Sequence, residues 1–401
     1  MEGPAAPPPL TTAQIFRRFL RFGMLAWGGP VAQIAMVRHA LVDEERWVTS
    51  GRFNRLLAVY QVLPGPEAHE LCVHLGMVAG GRRGGLAAGL GFMLPGFVLM
   101  LALSWLYFRL DLGHVALGAI LLGVQIGVIA LIVRAAHRIG GHVLADRWLW
   151  AIGIAATVAA YAGISFWIVL PAAGLAYLAL IRRNYWLAGA VAVAAAALAF
   201  MIWQAQAAGA GGRIAAAPLI PAGSVTAALL FLSGLKAGLL TFGGAYTVIP
   251  FVRGDAVGRG WMTDAQFLDG LALSGLLPAP LIIFSTFVGY YAGGPIGSLA
   301  MTAGIFLPAF AFSLLFYDRL EQVVENRRLR SVLEGVAAGV VGFIVATTLQ
   351  LAAALAARVP SLPAALLIFA GALALLYLWR SRLNLAAAIV LSGIAGYFAM
   401  A

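Results

Sequence analysis

Leu63-Pro64-Gly65-Pro66 interrupts one apolar run of this 401-residue chain, and Leu277-Pro278-Ala279-Pro280 interrupts another. The likeness continues on both sides of the pair. Upstream, Trp47-Val-Thr-Ser-Gly-Arg-Phe53 returns as Trp261-Met-Thr-Asp-Ala-Gln-Phe267, and Trp27-Gly28-Gly29 returns as Phe242-Gly243-Gly244. Downstream, Ala79-Gly80-Gly81 returns as Ala292-Gly293-Gly294, Leu94-Pro95 as Leu307-Pro308, and Gly123-Val-Gln-Ile-Gly127 as Gly335-Val-Ala-Ala-Gly339. Ordered matches at a nearly constant offset are the mark of an internal duplication. The chain divides into a disordered tail (1–14), a first repeat (15–204), a linker (205–223) and a second repeat (224–401).

Composition sets the solvent. The chain is 62% hydrophobic and 10% charged, with a mean hydropathy of +0.95. Soluble domains carry about 25% charge, so a soluble enzyme, a disordered chain and a disulfide-stapled secreted domain are excluded. The apolar runs are continuous rather than alternating, which points to helices and not to a barrel. The expected fold is an all-α polytopic membrane protein of about 13 hydrophobic segments. Plain spans are expected at 86–108, 115–133, 149–161, 164–181, 186–203, 296–316, 332–357, 362–379 and 385–400. Four further segments, 15–42, 53–80, 225–257 and 267–293, are interrupted by Gly-Gly or Pro-x-Pro. A single cysteine, Cys72, permits no internal disulfide.

The net charge of +11 is expected to set orientation rather than to contact nucleic acid. With the N-terminus inside, the inner loops hold Arg17, Arg18 and Arg21, Arg82 and Arg83, Arg134, Arg138 and Arg147, Arg182 and Arg183, the cluster Arg319, Arg327, Arg328 and Arg330, and Arg380 and Arg382. The outer loops hold Arg109, Arg213 and Arg358. This satisfies the positive-inside rule and puts the C-terminus outside. Arg38, Arg46, Arg52 and Arg55 resist the scheme unless the interrupted segments are re-entrant or the charge of these arginines is functional. Arg82-Arg83 in one repeat faces Gly293-Gly294 in the other, so charge has moved to the opposite loop. That pattern predicts inverted-topology repeats, an architecture common among secondary transporters.

The chemistry is expected where helices break. A half-helix N-terminus inside the membrane offers unpaired N–H groups and a positive dipole end to an anion. The breaks Gly28, Gly29 and Pro30; Pro64, Gly65 and Pro66; Gly243 and Gly244; and Pro278 and Pro280 form two symmetric pairs. Arg38 and Arg253 follow the two Gly-Gly breaks at the same distance, and guanidinium groups suit a tetrahedral oxyanion. Glu67, His69, Glu70 and His74 follow Pro66 and are the candidates for proton coupling. Asp269 reads as a helix cap, and His114, His137 and His142 read as loop residues. No metal or cofactor is expected, and no Walker loop, Rossmann fingerprint or nucleophile elbow occurs.

These motifs together resemble the chromate ion transporter (CHR) family in its long two-domain form. The resemblance runs from about Phe16 to Leu351. It is carried by Trp27-Gly-Gly-Pro30, Arg46-Trp47, Leu63-Pro-Gly-Pro66, Glu70, His74-Leu-Gly76, Leu94-Pro95, Thr241-Phe-Gly-Gly244, Gly260-Trp261, Gln266-Phe-Leu-Asp-Gly270, Thr286-Phe-Val-Gly-Tyr290 and Ile305-Phe-Leu-Pro308. It implies secondary transport of chromate, with sulfate as the related anion, by proton coupling or anion exchange, and typically efflux that confers resistance. The expected partners are the oxyanion and the bilayer of the inner membrane, and a homodimer is open to such a chain. Departures from the family pattern fall at the proposed site. Glu67-Ala68-His69 replaces a small polar run, Ala279 replaces a glycine, and Gln33 stands where His is common. An anion channel using the same breaks and a membrane-embedded enzyme built on Glu67 to His74 are the alternatives.

Overall fold

In the computed structural model, the residues described are 7–61, 63–109, 118–209, 224–242, 244–315, 326–379, 381 and 383–400. They form helices in the order α1 (Thr12–Met24), α2 (Gly29–Arg38), α3 (Ser50–Tyr60), α4 (Glu67–Arg109), α5 (Gly118–Val143), α6 (Arg147–Tyr161), α7 (Phe166–Ile181) and α8 (Tyr185–Gly209). Then follow α9 (Ala227–Leu239), α10 (Ile249–Ala256), α11 (Asp264–Gly275), α12 (Phe284–Leu315), α13 (Arg327–Ala356), α14 (Leu362–Leu378) and α15 (Asn384–Met400). A π-helical turn, His39–Glu44, continues α2, and a 3-10 turn, Ala245–Val248, leads into α10.

Equivalent residues of the two repeats start equivalent helices. Thr11 caps α1 and Thr226 caps α9; Thr49 caps α3 and Thr263 caps α11, each by accepting a backbone N–H in the first turn. Such caps satisfy donors that the helix itself cannot. The two longest helices fold at matching glycines. Gly80 and Gly81 take φ/ψ of −152°/27° and 59°/−156°, and Gly293 and Gly294 take −146°/20° and 62°/−158°. Gly81 and Gly294 sit at positive φ, which glycine adopts without steric cost. The turn brings the two arms of each helix together: a Cβ on Gly76 would stand 2.6 Å from the Gly84 carbonyl, and one on Gly289 would stand 2.5 Å from that of Gly297.

The second arms of α4 and α12 run antiparallel, with Gly85 against Leu314 and Gly89 against Phe310. After α2 the chain doubles back along α1: Glu45 pairs with Arg18, and Trp47 packs on Phe19 with ring centroids 6.3 Å apart. Asp255, within α10, pairs likewise with Lys236 of α9. The glycine pairs of the repeats make close contacts, Gly123 with Gly396 of α15 and Gly335 with Gly174 of α7, as small residues allow between helices. Trp47 and its counterpart Trp261 are both wholly buried.

Among the described residues, four helices are long and apolar enough to cross a membrane: Glu67–Arg109, Gly118–Val143, Leu281–Leu315 and Arg328–Ala356. Outward faces carry large apolar side chains, among them Trp186, Leu378 and Phe398, each at least four-fifths exposed. Such a surface is unfavourable in water and matches lipid. The chain is a multi-pass membrane protein.

Three local expectations are corrected. The cap of α11 is Thr263, and Asp269 lies inside that helix with its carboxylate buried. His137 and His142 belong to α5, because its apolar period carries on past Val133 to Val143. Arg134 and Arg138 lie on the same helix and not in a loop. His114 lies outside the described residues.

Candidate functional site

The site starts from two chain segments that cannot be helical. Pro64 and Pro66 lack N–H donors and end helical pairing, and residues 240–242 follow α9 while 244 precedes the 3-10 turn. These segments meet. The Gly65 N–H donates to the Thr241 carbonyl at 2.7 Å, and Pro64 and Phe242 form an isolated antiparallel bridge. The joint therefore ties the first repeat to the second at two of their interruptions, and it is buried on both sides.

Helix α4 begins at the joint and brings two carboxyl groups to it. A Cβ on Gly244 would lie 3.3 Å from Glu67 Oε1, and one on Gly65 would lie 2.6 Å from Glu70 Oε1. So Glu67 faces the interruption of the second repeat and Glu70 that of the first. Glu70 is fully buried, and neither of its carboxyl oxygens has a hydrogen-bond partner among the described residues. A bare buried carboxylate is costly; a proton or a ligand cation offsets that cost.

The two histidines behave differently. His69 is held in the core, with Nε2 3.2 Å from the Gly89 carbonyl and its ring edge-on to Phe306 and Phe310. His74 Nδ1 lies 2.7 Å from Tyr60 Oη of α3. Glu67, His69, Glu70 and His74 thus share one buried helix turn or its successor, but they do not converge on one point, and no metal-binding group forms among the described residues.

Two cavities lie on either side of α2. One, of about 620 Å³, is lined by Gly28, His39, Arg134, Arg138 and Tyr246. The other, of about 590 Å³, is lined by Arg38, Glu67, Arg138, His142 and Arg330. Arg138 borders both. Gly29 and Pro30 are buried in the first turn of α2, with Gly29 near Tyr246 Oη. Arg134 and Arg138 follow an apolar run and read as loop charges, but their i, i+4 spacing on α5 puts them on one face. Tyr246 carried no signal.

The two symmetric arginines have different partners. Arg253 gives Nε to Asp264 Oδ1 at 2.7 Å, Nη2 to Asp264 Oδ2 at 3.1 Å and Nη1 to Gln350 at 2.7 Å. Arg38 gives Nη2 to Ser50 Oγ at 2.9 Å. Ser50 and Asp264 are the first residues of the equivalent helices α3 and α11. The same arginine is therefore neutralised in one repeat and, among the described residues, carries no carboxylate in the other. Pro278 and Pro280 are buried, and Ala279 between them packs on Gly96. Gly243 lies outside the described residues.

The model of the chromate transporter family matches this chain twice, over residues 13–231 and 228–397. The chain belongs to the chromate transporter family. Among relatives of this family, the chain is 64% identical to a chromate transport protein of Pseudomonas aeruginosa over 98% of its own length and 94% of the relative's. It is 30% identical to a chromate transport protein of Cupriavidus metallidurans over 86% of this chain and 84% of that one. A half-length match is an uncharacterized transporter of Bacillus subtilis, YwrB, 30% identical over 36% of this chain and 73% of the relative. No solved structure matches. Both matched stretches contain their own helix interruptions, and the joint at Gly65 and Thr241 lies between one interruption of each.

Proposed function

We propose that this chromate transporter family member is a secondary active transporter of a divalent oxyanion, chromate with sulfate-like anions as relatives. It is no enzyme, and it sits in the inner membrane. The observation that carries the reading is the cavity in which Arg38 and Arg138 stand with Glu67, whose carboxyl group touches the joint between the repeats. Guanidinium groups recognise tetrahedral oxyanions, and helix N-termini add partial positive charge.

In this reading the repeats, 15–204 and 224–401, have inverted topology. The antiparallel packing of α4 on α12 supports it. The interrupted segments are re-entrant hairpins, which the return of Glu45 to Arg18 supports. Arg38, Arg46, Arg52 and Arg55 then share the inner side with Arg17, Arg18 and Arg21, and the positive-inside rule is met by them too. The N-terminus is cytoplasmic and the C-terminus outside.

The anion enters from the inner cavities past Gly28, Gly29 and Pro30. It binds at the joint of Pro64, Gly65 and Pro66 with Gly243 and Gly244, and Pro278 and Pro280 mark the counterpart break. Arg38 supplies positive charge from the start; Arg253 does so only when its pair with Asp264 opens. Glu67 and Glu70 exchange protons during the cycle, with His69 and His74 packed beside them, or a counter-anion returns. The test is Arg38→Ala in cells exposed to chromate. Loss of resistance at unchanged protein level is expected, and retained resistance at normal expression overturns the role of Arg38.

A further inference from the structure

A third cavity, of about 380 Å³, lies at the other end of α5. The inner cavity reaches His142 and this one reaches Gly118, a separation of roughly 36 Å at 1.5 Å per helical residue. The two are related by the duplication. Gly118, Leu121, Leu122 and Gln125 line one, and their counterparts Arg330, Leu333, Glu334 and Ala337 line the other. Their charge differs. The inner cavity carries Arg38, Arg138 and Arg330 against Glu67 and Glu334, an excess of positive charge; the far cavity carries one carboxylate, Asp269, and one guanidinium, Arg358, among its described lining.

Asp269 is buried and held from two elements. Tyr107 of α4 donates to Oδ2 at 2.7 Å, and Gln125 of α5 donates Nε2 to Oδ1 at 2.8 Å. Arg358 in turn donates to Gln125 Oε1 at 3.3 Å. Tyr291 of α12 faces the same cavity and bonds Gln266. An ionised Asp269 therefore orients the Gln125 amide so that its oxygen takes up Arg358, and it places a negative charge in the chamber.

We propose that Asp269 is a proton-binding site that gates this far cavity to the oxyanion. Ionised, it repels a dianion and keeps Arg358 engaged through Gln125. With a proton on one carboxyl oxygen, the charge is gone, the Gln125 contact weakens, and Arg358 is free to receive the anion. The proton comes from the aqueous chamber and returns to it; no other group changes. The inference rests on the oxyanion-transport reading above.

The experiment uses right-side-out membrane vesicles loaded with unlabelled chromate and clamped inside at one pH. Entry of labelled chromate is followed while the outer pH is varied. The wild-type rate is divided by that of Asp269→Asn, so that protonation of chromate itself cancels. A ratio near one at low outer pH that falls as the outer pH rises is expected, because the removed charge is fixed close to the anion's path. Asp269→Glu keeps the wild-type profile. Tyr107→Phe, which removes a donor to the ionised form, moves the half-maximal pH up by about one unit. If Asp269→Asn does not accumulate, the Tyr107→Phe shift decides alone. A pH-independent ratio, or an unmoved midpoint in Tyr107→Phe, overturns the gate. Wild-type vesicles with no saturable chromate exchange overturn the transport reading instead.

Discussion

Replacing Ser50 with aspartate should reproduce in the first repeat the ion pair that the second repeat already has. Ser50 and Asp264 open equivalent helices, and the Arg38-to-Ser50 contact of 2.9 Å matches the reach of Arg253 to Asp264, at 2.7 and 3.1 Å. In Ser50→Asp, Arg38 acquires an internal carboxylate and is lost to the substrate. A hydrogen bond to a charged group contributes about 1.5–3 kcal/mol, which corresponds to a loss of about 10- to 150-fold in apparent affinity. Ser50 is exposed and Arg38 half-buried, so solvent screening weakens the new pair and puts the expected value at about tenfold. The assay is the KM for labelled chromate in proteoliposomes, with Asp264→Ser as the reciprocal control. KM should rise in Ser50→Asp with kcat nearly kept, and it should not rise in Asp264→Ser. A Ser50→Asp protein whose KM stays within about twofold of wild type would refute the reasoning that Arg38 is the uncompensated arginine.

Glu70→Gln keeps the shape of a buried carboxyl that has no hydrogen-bond partner among the described residues; it should accumulate normally and keep chromate exchange while losing transport driven by a pH gradient, and unimpaired gradient-driven transport would count against a proton role. Gly65→Ala puts a methyl group 2.6 Å from the Glu70 carboxyl at a φ of +150°; overpacking of this kind costs about 1–3 kcal/mol, so a lower melting temperature with loss of transport is expected, and a silent variant would mean that the joint is not tightly packed. Asp146 caps α6 between membrane segments, and its carboxyl is held below the usual range: burial opposes ionisation, but hydrogen bonds from Tyr177 Oη and the backbone N–H groups of Leu149 and Trp148 outweigh it. A carboxyl with a lowered folded-state value adds stability above the unfolded value of about 3.9 and loses it as pH falls through the folded one. Tyr177→Phe should therefore melt below wild type at neutral pH, with the gap closing below about pH 4; a gap independent of pH would contradict this.

Much of the architecture was legible because duplication writes the same constraint twice. The Gly-Gly turns at 80–81 and 293–294 share their dihedral angles, and the caps Thr49 and Thr263 recur at the same place. Among the described residues, four membrane-length helices followed from continuous apolar runs. What the sequence hid was long-range pairing. Tyr107 and Gln125 reach Asp269 across 162 and 144 residues, and Lys236 finds Asp255 only because the chain doubles back between α9 and α10. Arg134 and Arg138 read as loop charges because hydropathy marks where an apolar run ends, whereas a helix lining a cavity continues through its polar residues. The equal spacing of Arg38 and Arg253 suggested equal roles; one residue on the neighbouring helix, Ser50 against Asp264, separates them.

The central claim is that this pair of joined repeats carries an oxyanion by a binding cycle. Counterflow in proteoliposomes tests it most directly. Vesicles loaded with unlabelled chromate are diluted into a trace of labelled chromate, with the membrane potential collapsed. The account predicts transient accumulation of label above equilibrium, saturating with chromate and lost in Arg38→Ala. Label that only equilibrates, with a flux that scales with imposed voltage and does not saturate, would contradict it and identify a channel.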